Sequence, residues 1–296
     1  MVTAKIEIAE ICVALASESD EWLWLDADDF EVFSSDSAPD VTIEVYLDGE
    51  LPEAPAHARV FTSEGRNVYV DDSGWSLELR RPPHLPIPFS NQLLKLDAGL
   101  SKGELHISEP DPDRRPSLLF KVLFQALWGQ LLTRRRGFLV HACGIGVGES
   151  GVLFVGEAGA GKTTLADLWD RHNGARVLHD DRIAVREKKG EFWAYPVPRL
   201  AKFGPTSSRG VRLEQVFFIS HGETNTAAAR RPSAAVAGLL AEAFVPGHDH
   251  SAVARALELL DDLAANVPCD DLAFLPDESI IGFVRDWCLC EPSAST

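Results

Sequence analysis

Residues 151–164 read GVLFVGEAGAGKTT, and the fold turns on how that stretch is understood. The run Gly151 to Val155 has the length and apolar character of a buried strand, and TLADLWDRH beyond the glycines puts Leu165 and Leu168 on one helical face. A strand, a glycine loop and a helix therefore follow one another. In the loop four residues separate Gly156 from Gly161, and Lys162 and Thr163 follow directly. Glycines in such a loop let successive backbone N–H groups turn inward around a polyphosphate. Gly156, Glu157, Ala158, Gly159, Ala160 and Gly161 are the expected cradle, with Thr164 in the first helical turn. Lys162 would reach the outer phosphates, Thr163 would offer its hydroxyl to Mg2+, and the helix would add its positive N-terminal end. A glycine turn that only joined strand to helix would not require a lysine and then a hydroxyl at those offsets.

Outward from the loop, composition narrows the classes. The chain has 296 residues, 45% hydrophobic and 25% charged, a globular profile with room for two domains. A net charge of -17 and a pI near 4.9 argue against nucleic acid or an anionic membrane as partner. No stretch reaches the roughly 18 to 20 apolar residues of a membrane span, and the N-terminus lacks a basic segment followed by an apolar core, so a cytoplasmic protein is expected. Cys12, Cys143, Cys269, Cys288 and Cys290 are scattered and odd in number, which predicts reduced thiols. Cys288 and Cys290 stand one residue closer than the usual metal-ligand gap, and nothing nearby completes a site.

The first hundred residues carry short alternating runs. VTIEVYL puts Val41, Ile43, Val45 and Leu47 on one face, and NVYV and WSLELR are joined by the turn residues Asp71 to Gly74. QLLKL and GELHI continue the pattern, whereas the proline-rich RPPHLPIPF cannot be a central strand. Trp22 and Trp24 alternate with Leu23 and Leu25 as in a strand. A mostly antiparallel β domain is predicted. The pattern then changes to SLLFKVLFQALWGQLLTRRR, a helix dense enough in apolar residues to be buried, with Ser117 as N-cap. Arg134 to Arg136 suit the helix C-terminus or, alternatively, a phosphate or acidic partner. From Phe138 the order reads strand (GFLVHACGIGV), strand, loop and helix, then strands ARVLHD, RIAVRE and FWAYPV. A polar loop from Leu200 to Arg212, the strand EQVFFIS, helices over Ser233 to Phe244 and Ser251 to Asn266, and a final helix capped by Asp277 complete it.

Asp180 and Asp181 stand at the end of the apolar run Ala175 to Leu178, one strand after the loop. Adjacent acids can divide labour, one holding Mg2+ while the other accepts a proton from an attacking hydroxyl. His141, flanked by Phe138, Leu139, Val140 and Ala142, is by itself either a hydrogen-bonded core residue or a catalytic one. Arg182, Arg199 and Lys202 are candidate phosphate clamps. His248 and His250, in the polar segment GHDH, are expected to be solvent-exposed.

The stretch LVHACGIGVGESGVLFVGEAGAGKTTLADLWDRHNGARVLHDDRIAV resembles the catalytic core of the HPr kinase/phosphorylase superfamily over about Phe138 to Glu187. There a strand His, a glycine loop and an Asp-Asp-Arg segment occur in this order and at similar spacing. The resemblance implies ATP and Mg2+ as cofactors, catalytic roles for His141, Lys162 and Asp180, nucleotide contacts from Gly156 to Thr164 and Arg182, and a metal site at Thr163 and Asp181. In it Asp180 is the base. VRLEQVFFIS and VPCDDLAFLPDESIIGFVRD look like the compact relatives of these kinases found near peptide-modifying genes. Two departures stand: Thr164 occupies a position where the family carries an acid, and the glycine-rich segment associated with dephosphorylation has no counterpart.

The fold expected is thus α/β, a P-loop kinase core of the HPr kinase C-terminal type over 116–296, preceded by a mostly antiparallel β domain over 1–115 that would present the acceptor. The function implied is ATP-dependent transfer of the γ-phosphoryl to a hydroxyl, a serine of a protein or peptide being favoured over a small-molecule alcohol. A homo-oligomer follows from the family tendency. Two alternatives remain: phosphoenolpyruvate carboxykinase chemistry, for which the chain is short, and a regulatory ATPase without an acceptor, which would need no base aimed at an alcohol.

Overall fold

The computed structural model describes residues 2–18, 30–48, 50–54, 58–63, 65–80, 91–108, 117–198, 203 and 206–288. The chain is α/β with mixed sheets and, among the described residues, five α-helices. It separates into two compact units, Met1–Leu127 and Trp128–Thr296. Trp22, Trp24, Arg199, Lys202, Cys290 and the segment RPPHLPIPF lie outside the described residues.

The first unit is an eight-stranded sheet of β1 (Val2–Ile8), β2 (Ile11–Ser17), β3 (Val41–Asp48), β4 (Arg59–Ser63), β5 (Arg66–Asp71), β6 (Gly74–Leu79), β7 (Gln92–Asp97) and β8 (Lys102–Ser108), in the order β1-β2-β3-β8-β7-β6-β5-β4. Alternation builds it as the sequence predicts, with Val41, Ile43 and Val45 buried and Glu44 exposed between them. The β5–β6 hairpin closes at Asp71 opposite Gly74. The expectation of a mostly antiparallel domain needs one refinement. β2–β3 and β3–β8 pair in parallel, which a hairpin turn could not allow: residues 18–40 separate the first pair in sequence, and β4 to β7 separate the second.

Inside this sheet Glu78 is buried and accepts from Tyr69 Oη (2.7 Å), Asn67 Nδ2 (2.8 Å) and Arg80 Nε (2.7 Å). Burial alone would raise its pKa, but these bonds outweigh it and hold the carboxyl below its ordinary value. Burial, and then Glu78, push the Tyr69 phenol up to about 12. Glu78→Ala should destabilise this unit by about 1–3 kcal/mol, since a buried hydroxyl loses its acceptor. A carboxyl with a depressed folded pKa stabilises above its unfolded value and loses that contribution as pH falls through the folded one. The melting-temperature gap between wild type and variant should therefore be full at neutral pH and shrink on acidification below the ordinary glutamate value of 4.5.

The division between the units falls within α1 (Ser117–Arg134). Ser117 is the first helical residue, and Phe124, Leu127, Trp128, Leu131 and Leu132 are buried, as the apolar density predicts. The second unit then runs β9 (Gly137–Val140), β10 (Ala142–Val147), β11 (Ser150–Val155), α2 (Lys162–Asp170), β12 (Ala175–His179), β13 (Ile183–Lys188), β14 (Glu191–Tyr195), β15 (Val211–His221), β16 (Thr226–Ala229), α3 (Pro232–Glu242), β17 (Ala243–Phe244), α4 (His250–Asn266), β18 (Cys269–Phe274) and α5 (Ser279–Cys288). Its main sheet path is β12-β10-β11-β15-β14-β13-β9-β17, with β18 pairing β15 and β16.

Both faces of this sheet are covered, which is why β11 reads as an unbroken apolar run. Leu153 and Val155 face a core completed by Leu239 of α3 and Leu259, Leu260 and Leu263 of α4. Val152 and Phe154 face the opposite core, completed by Leu165 and Trp169 of α2 and Ile280, Ile281 and Val284 of α5. The Asp277 carboxylate accepts from Ser279 N at 2.9 Å, as the predicted cap requires. Arg136 pairs with Glu187 and, at 2.8 Å, with Asp262, so its charge is committed within the fold.

Three expectations are corrected. The run GFLVHACGIGV is two strands, broken at His141, because β9 pairs β13 and β17 whereas β10 pairs β11 and β12. The helix predicted to Phe244 stops at Glu242, and Ala243 and Phe244 instead hydrogen-bond to β9, a partner that local periodicity cannot reveal. The loop predicted to Arg212 ends where β15 begins at Val211. No helix among the described residues is long and apolar enough to cross a membrane.

Candidate functional site: a glycine loop beside an acid-imidazole chain

Two interruptions in the sheet create the site. The chain leaves β9 at Val140 and enters β10 at Ala142, and it leaves β12 at His179 and enters β13 at Ile183. Because β9 pairs β13 (Val140 opposite Ile183) and β10 pairs β12 (Gly144 opposite His179), His141 and the Asp180-Asp181-Arg182 segment are brought face to face. β10 also pairs β11, with Ala142 opposite Val155, so the glycine loop leaves β11 next to His141.

The loop's backbone is set by one glycine where it enters α2. Gly161 adopts φ +106° and is the N-cap of α2, and a Cβ there would lie 2.6 Å from Phe274 Cζ. Only glycine satisfies both the left-handed backbone and that close approach. Lys162 is buried, and its ammonium donates to Gly156 O and, at 3.0 Å, to Glu157 O. Burial pulls its pKa below the ordinary lysine range, opposed by the fields of Glu242 and Asp181. His221, exposed at the end of β15, meets Gly159 O through Nε2 at 2.9 Å.

Of the two acids, Asp180 is the more deeply buried. Its Oδ2 accepts from Thr163 Oγ1 at 3.2 Å, and Oδ1 lies 3.4 Å from Phe203 N. The hydroxyl expected at the metal is therefore tied to the first acid. Asp181 Oδ1 lies 3.2 Å from His141 Nε2, and its Oδ2 lies 3.5 Å from the Arg182 guanidinium. Arg182 is itself buried, 5.3 Å over the Phe244 ring, and burial lowers its pKa against the pull of Asp181. The bond to Asp181 lifts the His141 pKa above its ordinary value; burial opposes this, and a second bond, to Glu242, adds to it.

Sequence reasoning missed two residues here. His179, fully buried, accepts from Asp181 N (3.0 Å) and Arg182 N (3.2 Å) through Nδ1 and so shapes the turn that carries both acids. Its place beside the Asp pair was a usable signal. Glu242, whose Oε2 lies 2.8 Å from His141 Nδ1, is 101 positions away and carries no motif. Elsewhere, the expectation for His248 is corrected. It is half-buried, with Nε2 3.2 Å from the Gln130 amide of α1, and burial lowers its pKa; His250 is exposed as expected.

The donors at the loop mouth, two carboxylates and a hydroxyl, are hard oxygens of the kind Mg2+ takes, and Mg2+ at such sites draws on one or two carboxylates together with substrate phosphates. Among the described residues no group of three or more His, Cys, Asp or Glu is placed to hold a metal by protein ligands alone.

No protein-family model matches the chain. No curated protein matches it. Among solved structures, the Hpr(Ser) kinase/phosphatase from Coxiella burnetii is similar over 50% of this chain and 95% of its own, with 15% identity and a TM-score of 0.31. A similarity of that size leaves the functional reading to the residues of the site.

Proposed function

We propose that this protein is an ATP-dependent kinase that transfers the γ-phosphoryl to a hydroxyl, with a serine of a protein or peptide as the favoured acceptor. The observation that carries the proposal is the contact of Thr163 with Asp180 at 3.2 Å, which seats a buried carboxylate against the glycine loop. A carboxylate so placed is within reach of the loop's phosphates, where it can take the proton of an attacking hydroxyl or stand on the metal side of the site.

In this mechanism the loop N–H groups and the N-terminus of α2 bind the polyphosphate, and Lys162 swings from its loop carbonyls to the outer phosphates. Asp180 takes the acceptor's proton as the acceptor oxygen bonds to the γ-phosphorus and the bond from that phosphorus to the bridging oxygen breaks, releasing ADP. Asp181 and Thr163 would hold Mg2+, which when bound supplies charge neutralisation at the phosphate oxygens. Arg182, buried beside Asp181, keeps a positive field behind it. Most of the acceleration would come from positioning and charge stabilisation. The β-rich N-terminal unit is proposed to present the acceptor, since sheet edges can take an extended peptide as an added strand.

Incubation with γ-labelled ATP, Mg2+ and cell extract tests the reaction and the acceptor together. Label in a polypeptide supports the proposal, and label in a small molecule moves the acceptor to an alcohol. Release of inorganic phosphate alone, with no labelled acceptor, would replace the kinase by a regulatory ATPase.

A further inference from the structure

We infer that Glu242 is the positioning residue that fixes His141 and, through it, the carboxylate of Asp181. The inference rests on the kinase proposal. Glu242 grips His141 twice: its carbonyl oxygen accepts from His141 N at 2.8 Å, and its Oε2 meets His141 Nδ1 at 2.8 Å. The first contact satisfies a backbone donor that the break between β9 and β10 takes out of the ladder. The second removes the rotational freedom of the imidazole ring. With the ring plane set from the Nδ1 side, Nε2 is held 3.2 Å from Asp181 Oδ1.

Asp181 is then oriented at Oδ1 by His141, while the Arg182 guanidinium lies 3.5 Å from Oδ2 as an ion pair without a hydrogen bond. A carboxylate that is to meet a metal ion with a free lone pair needs such outer partners, and their loss at metal sites typically costs about 10–100-fold in affinity or activity. The position of Glu242 is fold-determined. It ends α3 immediately before Ala243 pairs with Val140, the residue preceding His141. Only 16% of its side chain is exposed, so solvation does not explain a carboxylate there.

The full-length chain and its Glu242→Ala and Glu242→Gln variants should be compared in two measurements. One is equilibrium binding of a non-hydrolysable ATP analogue with and without Mg2+; the other is ATP turnover as a function of Mg2+. In Glu242→Ala, affinity without Mg2+ should not fall, since the variant removes a negative charge that acts on Lys162, whereas the Mg2+-dependent gain in affinity should fall and half-saturating Mg2+ for turnover should rise about 10–100-fold. Glu242→Gln, whose side-chain oxygen still accepts from Nδ1, should restore near wild-type behaviour. The main-chain bond to His141 survives both substitutions, and circular dichroism checks the fold. An alanine variant with wild-type Mg2+ dependence, or one that loses analogue affinity equally with and without Mg2+, would overturn the inference. A wild-type protein that binds no analogue would instead overturn the kinase proposal itself.

Discussion

Lys162→Ala should abolish Mg2+-nucleotide-dependent turnover while leaving the protein folded. Lys162 is 7% exposed, and its ammonium donates only to two carbonyls of its own loop, at Gly156 and Glu157, among the hydrogen bonds described for it. Burying a cation is costly, and here burial lowers the lysine's pKa despite the nearby acids. A charge kept under those conditions serves a ligand, not the core. Its removal should change stability by no more than about 1 kcal/mol, because a net intramolecular hydrogen bond contributes about that much and a desolvated charge is relieved at the same time. Nucleotide affinity by titration and melting temperature by scanning fluorimetry separate the two effects. Turnover and affinity equal to wild type would remove the phosphate-cradle assignment. Arginine should not rescue, because a planar fork does not replace a compact ammonium in a loop of this size.

The second large effect is expected at Asp180. Asp180→Asn keeps an oxygen for Thr163 but abolishes basicity, so transfer should fall by about 10² to 10⁴ with nucleotide affinity little changed. Asp181→Asn should mainly raise the Mg2+ requirement. The contact between Thr163 and Asp180 adds a complication that the sequence did not contain, since it joins the proposed base to the proposed metal side. Asp180→Asn is therefore expected to raise the Mg2+ requirement as well. Saturating Mg2+ provides the distinction: it should restore most turnover to Asp181→Asn and none to Asp180→Asn. Equal recovery of the two variants would mean that the acids do not divide the work in this way.

How much of this was legible beforehand follows from the range of the forces involved. The loop, its strand and its helix could be read directly because each depends on neighbours a few positions away. Glycines supply backbone freedom, α2 starts at Lys162, and β11 is apolar on both faces because helices cover both. The same holds for the β5–β6 and β13–β14 hairpins, whose turn residues lie between their strands. Asp180 and Asp181 could be placed at a strand end, and His141 near the loop strand, although not their mutual distances.

Pairing partners were another matter. A strand written GFLVHACGIGV has no local reason to break, and it breaks at His141 because its two halves hydrogen-bond to different strands. An α3 that could have continued to Phe244 stops at Glu242 because the backbone of Ala243 and Phe244 is taken up by β9. Those two long-range choices bring a carboxylate from 101 positions away against His141, and no pattern of residue types foretells them. The first sheet repeats the point, since its parallel pairs β2–β3 and β3–β8 depend on a crossover that alternation alone does not encode. The sequence by itself determined the glycine loop and the elements that carry it, because side-chain and backbone preferences act over a few residues. Which acid meets the loop hydroxyl, which meets the imidazole, and what holds that imidazole still were decided by the tertiary structure, because hydrogen bonds between distant strands form only when the chain has closed on itself.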